Sequence, residues 1–202
     1  MSSVLSSISL LSDAKYFEEK NSKFNELHDH LAGKNTKKKL NAMKRLIAMM
    51  TLGRDVSTFF PDVVKNVIVD NTEIKKLVYM FLTHYAEENQ ELALLAINTL
   101  QNDLRSSNQR VRANALRAMS SISIKVVIPI VMMALKSAVR DTSSYVRKAA
   151  ACAIPKVCRT DPSRKSELVD MVAELVSNSE PNVLGASMFA FSQVCPDRYD
   201  LL

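Results

Sequence analysis

Apolar positions recur along most of this chain at the spacing of amphipathic helices. Three segments align when placed beneath one another: VRANALRAMSSI from Val111, VRKAAACAIPKV from Val146 and VLGASMFAFSQV from Val183. Their first residues are 35 and 37 positions apart. The same step backward reaches EIKKLVYMFL and then KKLNAMKRLIAM. The pattern therefore predicts five equivalent helices, spaced about 36 residues apart.

A second helix is predicted between consecutive equivalent helices, over Glu91–Asp103, Ile124–Val139 and Pro162–Ser177. Two helices in each period of about 36 residues are typical of helix-pair solenoids. The predicted fold class is all-α, an α-solenoid of HEAT/armadillo-type repeats. Residues 13–202 are predicted to form a trunk of about five such repeats, truncated at its C-terminus, and residues 1–12 a flexible tail.

Capping residues precede several of these predicted helices. Asp161 stands directly before Pro162, a favoured first helical residue. Asn108 is expected to cap the helix that carries Val111, and Ser143 or Ser144 the helix that carries Val146.

The composition agrees with helices and shows no catalytic motif. The chain has only three Gly and six Pro, too few for the turns of a sheet protein. Its three cysteines are an odd number without C-x-x-C spacing, which indicates reduced thiols in a cytosolic protein, and Cys152 and Cys158 are expected to be small core residues. No H-E-x-x-H, G-x-S-x-G or P-loop pattern is present. We therefore expect no enzyme activity, no metal and no cofactor.

One arginine pattern matches a structural feature of HEAT repeats. These repeats carry an Asp six residues before an Arg at the start of the second helix, the spacing of Asp141 and Arg147. In the preceding repeat only the Arg is kept, as Arg112. We expect Arg112, Asp141 and Arg147 to form a ladder between stacked repeats rather than to bind a ligand.

Positive charge is concentrated near the N-terminus. The chain has a net charge of +6, and seven of its cations and no acid fall between Lys34 and Arg54. This surface is either a solvated helix face or a binding site for anionic phosphates. Lipid head groups fit better than nucleic acid, because no aromatic residues accompany the lysines to stack on bases.

The stretch ELALLAINTL, residues 91–100, has more apolar residues than one buried stripe requires. A helical projection assigns Leu92, Leu95 and Ala96 to the core face. Leu94 and Ile97 then lie toward the opposite side. Their purpose is either further burial against neighbouring repeats or contact with a partner.

Several stretches resemble the N-terminal trunk of beta-adaptins, the large subunits of heterotetrameric clathrin-adaptor complexes. They are SDAKYF, MTLGRDVSTFFPDVVKNV, EIKKLVYMFLTHYAEENQELALLAINTLQNDL and SYVRKAAACAIPKV. VVIPIVMMALK and VCPDRYDLL are most like the third adaptor complex. The resemblance covers nearly the whole chain, but the hinge and appendage of these subunits are not within it.

The resemblance implies a scaffold for intracellular protein transport, in endosome or Golgi to lysosome-type traffic. Its implied partners are the second large, the medium and the small adaptor subunits, an Arf-family GTPase and, peripherally, an anionic membrane. The implied location is cytoplasmic, on Golgi and endosomal membranes. No nucleic acid is expected.

The resemblance also implies binding residues. Leu94 and Ile97 align with the apolar pair that receives the GTPase, and Lys15, Tyr16 and Lys37, Lys38 and Lys39 occupy places where related trunks meet acidic lipids. The alternative is another HEAT-repeat scaffold, such as a nuclear-transport carrier or a phosphatase scaffold, which would bind proteins without a membrane.

Overall fold

The computed structural model describes residues 24–177 and 180–201, and within these ranges the chain is helical with no strand. The predicted all-α class is confirmed. The α-helices of the described residues are α1 (Phe24–Ala32), α2 (Thr36–Thr51), α3 (Phe60–Lys65), α4 (Thr72–Tyr85), α5 (Gln90–Asp103), α6 (Gln109–Ser121), α7 (Ile128–Ala138), α8 (Ser144–Thr160), α9 (Lys165–Val176) and α10 (Pro181–Val194). The predicted flexible tail, residues 1–12, lies outside the described residues.

The chain divides into two compact units, one up to Phe81 and one from Leu82, and the division falls within α4. In the first unit α2 packs on α1, and α1 also packs on α3. Aromatic rings fill its core: Phe60 and Phe81 are buried, with ring centroids 6.2 Å apart. Burial of such side chains supplies much of the stability of a small helical unit.

In the second unit α8 packs between α6 and α10, while α7 and α9 pack against α8 from another layer. The three segments aligned in the sequence lie on these central helices, α6, α8 and α10. Four buried alanines on α8 (Ala149, Ala150, Ala151 and Ala153) allow its neighbours to approach closely. The repeat seen in the sequence is therefore a stack of helix pairs.

Two of the predicted helix starts are confirmed, and the third lacks its expected side-chain cap. The side chain of Asn108 accepts a hydrogen bond from the Arg110 N–H at 2.9 Å, and that of Asp161 accepts one from the Ser163 N–H at 3.1 Å. Ser143 occupies the N-cap position of α8, but its hydroxyl donates to Gln109 instead of capping the helix.

Candidate docking surfaces and the repeat ladder

Helix α5 carries the apolar stretch that the sequence singled out. Its buried residues follow helical spacing and include Ala93, Ala96, Ile97 and Leu100. Ile97 is 4% exposed, whereas Leu94 is 39% and Leu95 66% exposed. Of the two alternatives left open for Ile97, the structure shows burial, and the expected burial of Leu95 is wrong.

The difference is a rotation of the buried stripe about the helix axis. Six consecutive apolar residues, Leu92 to Ile97, fit two neighbouring phases of the 3.6-residue period. The packing selects the phase that places Ala93 and Ala96 inward, beside Ile97. As a result the exposed apolar pair on α5 is Leu94 and Leu95, and Ile97 helps to fix the helix in place.

The lysines at the start of α2 differ in their exposure and in what their side chains contact. Lys37 and Lys38 are exposed, and their backbone N–H groups donate to the Asn35 side chain at 3.0 and 3.2 Å. The Lys39 ammonium instead donates to the Leu31 carbonyl at 2.6 Å and to Asn66 Oδ1 at 2.5 Å. Burial lowers the pKa of Lys39.

Lys39 therefore ties α2 to the end of α1 and to buried Asn66, which sets it apart from exposed Lys37 and Lys38. The sequence could not show this difference, because the two acceptors meet the Lys39 ammonium only in the fold. The predicted lipid contacts Lys15 and Tyr16 lie outside the described residues.

The predicted repeat ladder has a definite geometry in the second unit. Arg112 of α6 donates from Nε and Nη2 to the two carboxylate oxygens of Asp141, at 2.9 and 2.8 Å. Both side chains are about 15% exposed, so water screens the pair only partly. The bridge joins the start of α6 to the loop between α7 and α8.

Each ladder arginine also binds the loop that precedes its own helix. Arg112 Nη1 donates to the carbonyls of Ser106 and Ser107 at 2.8 and 3.0 Å. Arg147 Nη1 donates to those of Asp141 and Thr142 at the same two distances. The spacing is six and five residues in both repeats. This second role could have been predicted from the sequence, because Arg112 and Arg147 occupy equivalent positions in successive repeats and each follows an equivalent loop.

Opposing effects act on the pKa of Asp141. Burial raises it, but hydrogen bonds from Arg112 and from the Ser143 N–H, with the charges of Arg112 and Arg147, lower it more strongly. The net pKa lies below the usual range of an aspartate. Asp141 is therefore held in its ionised form, as a structural bridge requires.

The chemistry of the thiols and of possible metal ligands is limited. Cys152 is exposed, which corrects its expected place in the core, while Cys195 is buried and its pKa is raised chiefly by that burial. Within the described residues no three His, Cys, Asp or Glu side chains are grouped to hold a metal ion. Nor does any described helix have the length and apolar character to cross a membrane.

Stacked helix pairs joined through an Arg–Asp bridge define the class: this is an α-solenoid of HEAT/armadillo type. Residues 16–202 match the family described as Adaptin N terminal region, so the chain belongs to that family.

Two similar proteins are beta subunits of an adaptor complex. AP-3 complex subunit beta of Dictyostelium discoideum is 48% identical over 204 residues, covering 100% of this chain and 18% of the relative. AP-3 complex subunit beta-2 of Mus musculus is 49% identical over 164 residues, covering 81% of this chain and 15% of the relative. The chain thus spans less than a fifth of the length of these two relatives.

Two other structures match the fold. A homology model of the full-length AP-3 complex, in an intermediate open conformation, matches with a TM-score of 0.68 and 34% identity, covering 90% of this chain and 30% of the matched chain. A designed armadillo repeat protein matches with a TM-score of 0.63 at 16% identity, covering 93% of this chain and 92% of that chain, which shows the fold alone.

Proposed function

We propose that this chain is a non-catalytic scaffold segment of the large beta subunit of an adaptor complex, acting in vesicle-mediated protein transport. The observation that carries the proposal is the 48% identity to an AP-3 beta subunit across the whole chain. The proposed partners are the second large, the medium and the small adaptor subunits. The family match favours this interpretation over a nuclear-transport carrier or a phosphatase scaffold.

The structure of the second unit supports a scaffold role. Arg112, Asp141 and Arg147 form hydrogen bonds with one another or with the loops of the repeats. These charged groups therefore stabilise the repeat stack. A solenoid of this kind exposes long helical surfaces while each repeat contacts mainly its neighbours. Such surfaces suit the binding of several protein partners at once.

An Arf-family GTPase is the proposed recruiting partner, on Golgi or endosomal membranes in endosome or Golgi to lysosome-type traffic. The proposed contact is Leu94 with its exposed neighbour Leu95 on α5. Ile97, which the sequence analysis paired with Leu94, is buried and has the role of holding α5 in place. Exposed Lys37 and Lys38 are the proposed contacts to anionic lipid.

Capture of the chain by GTP-locked and GDP-locked GTPase tests the recruiting contact. We expect capture with the GTP-locked form only, and at least about a tenfold loss in a Leu94→Ser/Leu95→Ser variant, because a few residues at the centre of an interface carry most of its binding energy. Met133→Ser is the matched control, since Met133 is also an exposed apolar residue on a helix, 74% exposed. Equal capture in both nucleotide states, or by the double variant, would rule out this contact.

A further inference from the structure

The second unit separates its charges between helices. Over their described residues 109–121 and 144–160, helices α6 and α8 carry seven Arg and Lys and no Asp or Glu. Helix α9, in the other layer, carries the three acids Glu167, Asp170 and Glu174 and one cation, Lys165. A surface formed by α6 and α8 is therefore positive without internal compensation.

Five of the seven cations lie on two stripes at the surface. Arg112 and Arg147 are engaged in the ladder and its loops, and the other five belong to two rows of residues spaced three or four positions apart along each helix. The α6/α8 strip comprises Arg110, Asn114, Arg117 and Ser121 of α6 and Tyr145, Lys148, Cys152, Lys156 and Arg159 of α8, all exposed or half-buried.

Two contacts show that these stripes are adjacent. Arg117 lies over the Tyr145 ring, 4.9 Å from its centroid, and donates to the Tyr145 hydroxyl at 3.1 Å. The Lys156 ammonium donates to Ser121 Oγ at 2.8 Å. Both partners are neutral, so these contacts orient the cations and leave their charge available. In the described part of the chain none of the five cations of the strip forms an ion pair with a carboxylate.

A cavity of about 650 Å³ lies at the C-terminal ends of α6 and α8. Its lining includes the cations Lys125, Lys156 and Arg159 and the hydroxyl side chains of Ser121 and Ser123, and Glu87 is its one carboxylate. Ammonium, guanidinium and hydroxyl groups together are the donors that bind anionic oxygens.

The dimensions of the strip favour a short peptide. Lys148 and Arg159 are eleven residues apart on one helix, or roughly 16 Å at about 1.5 Å per residue. About five residues of extended peptide span this distance at about 3.3 Å each. Arg117 covers the ring of Tyr145, the aromatic residue of the strip. Little of this ring is therefore open to stack on a nucleic-acid base.

We propose that the α6/α8 strip binds an acidic peptide segment in extended form, with one carboxylate side chain in the cavity beside Lys156 and Arg159. The segment belongs to a partner protein. The inference is independent of the GTPase contact, because it rests on different helices and on charge.

The test is fluorescence anisotropy of a labelled peptide of alternating glutamate and aspartate, titrated with the full 202-residue chain. We expect saturable binding that weakens as salt rises. A Lys148→Glu/Arg159→Glu variant should weaken binding at least about tenfold, and Lys148→Gln/Arg159→Gln should weaken it less.

Arg105→Glu/Lys165→Glu is the matched control, because both residues are exposed cations outside the strip and the change in net charge is equal. Its affinity should stay within about twofold of the unchanged chain. If the variant and the control lost affinity equally, binding would depend on net charge alone, and the proposal would be overturned. Tighter binding of an oligonucleotide of equal charge, or of phosphatidylserine vesicles, than of the peptide would also overturn it. Circular dichroism confirms that each variant is folded.

Discussion

Replacing Ile97 by alanine should lower the free energy of unfolding by about 2 to 5 kcal/mol, the usual cost of truncating a fully buried aliphatic side chain. Ile97 is 4% exposed on α5, so the change removes packed methyl groups and leaves a cavity. Urea unfolding followed by far-UV circular dichroism measures the loss, and an unchanged dependence on urea would show that the unfolded state is unaffected.

Leu94→Ala is the matched control for this prediction. It removes a similar side chain from the same helix three residues earlier, at a position that is 39% exposed. Surface substitutions usually change stability by about 0.5 kcal/mol or less. Equal destabilisation by the two variants would contradict the burial pattern described for α5 and would restore Ile97 as a candidate for direct partner contact.

Breaking the repeat ladder should cost about 2 kcal/mol for Arg112→Met or for Asp141→Asn, since each leaves the other partner without its bidentate bond. The double variant should be less destabilised than the sum of the singles, which gives a coupling energy between the two side chains. The same cycle on Lys136 and Glu167 is the control. That pair is just as close, at 2.7 Å, but its side chains are 59% and 37% exposed, and we expect a coupling below about 1 kcal/mol.

The ladder also makes stability depend on pH. The pKa of Asp141 is lower in the folded chain than the value of about 3.9 expected when unfolded. Its contribution is therefore fully present above about pH 4 and is lost as the pH falls through the folded value. In Arg112→Met this acid-dependent loss should be smaller. Identical acid dependence in both proteins would show that Arg112 does not hold the carboxylate in its ionised form.

The fold could be predicted because its signal is repeated. Equivalent helices at Val111, Val146 and Val183, with capping Asn108 and Asp161, each follow from local spacing and side-chain chemistry. The equivalent positions of Arg112 and Arg147 also predicted a ladder between stacked repeats, although Asp141 has no counterpart in the preceding repeat, where Ser106 stands.

The surface residues were harder to predict because exposure depends on what packs nearby. On α5 a continuous apolar run allowed two phases, and only packing chose the one that buries Ile97 and exposes Leu95. Nothing in the sequence distinguishes Lys39 from Lys37 and Lys38. In the fold, Asn66, 27 residues away along the chain, accepts a hydrogen bond from the Lys39 ammonium. A charge run therefore predicts a basic region and does not show which of its members face a ligand.

The most direct test of the adaptor-scaffold proposal is coexpression of the tagged chain with the second large, medium and small adaptor subunits of the same organism. We predict that these subunits co-purify with the chain and elute together with it in size-exclusion chromatography, in constant proportions. If the other three subunits associate with one another while the folded chain elutes alone, the proposal that it is a scaffold segment of this complex is contradicted.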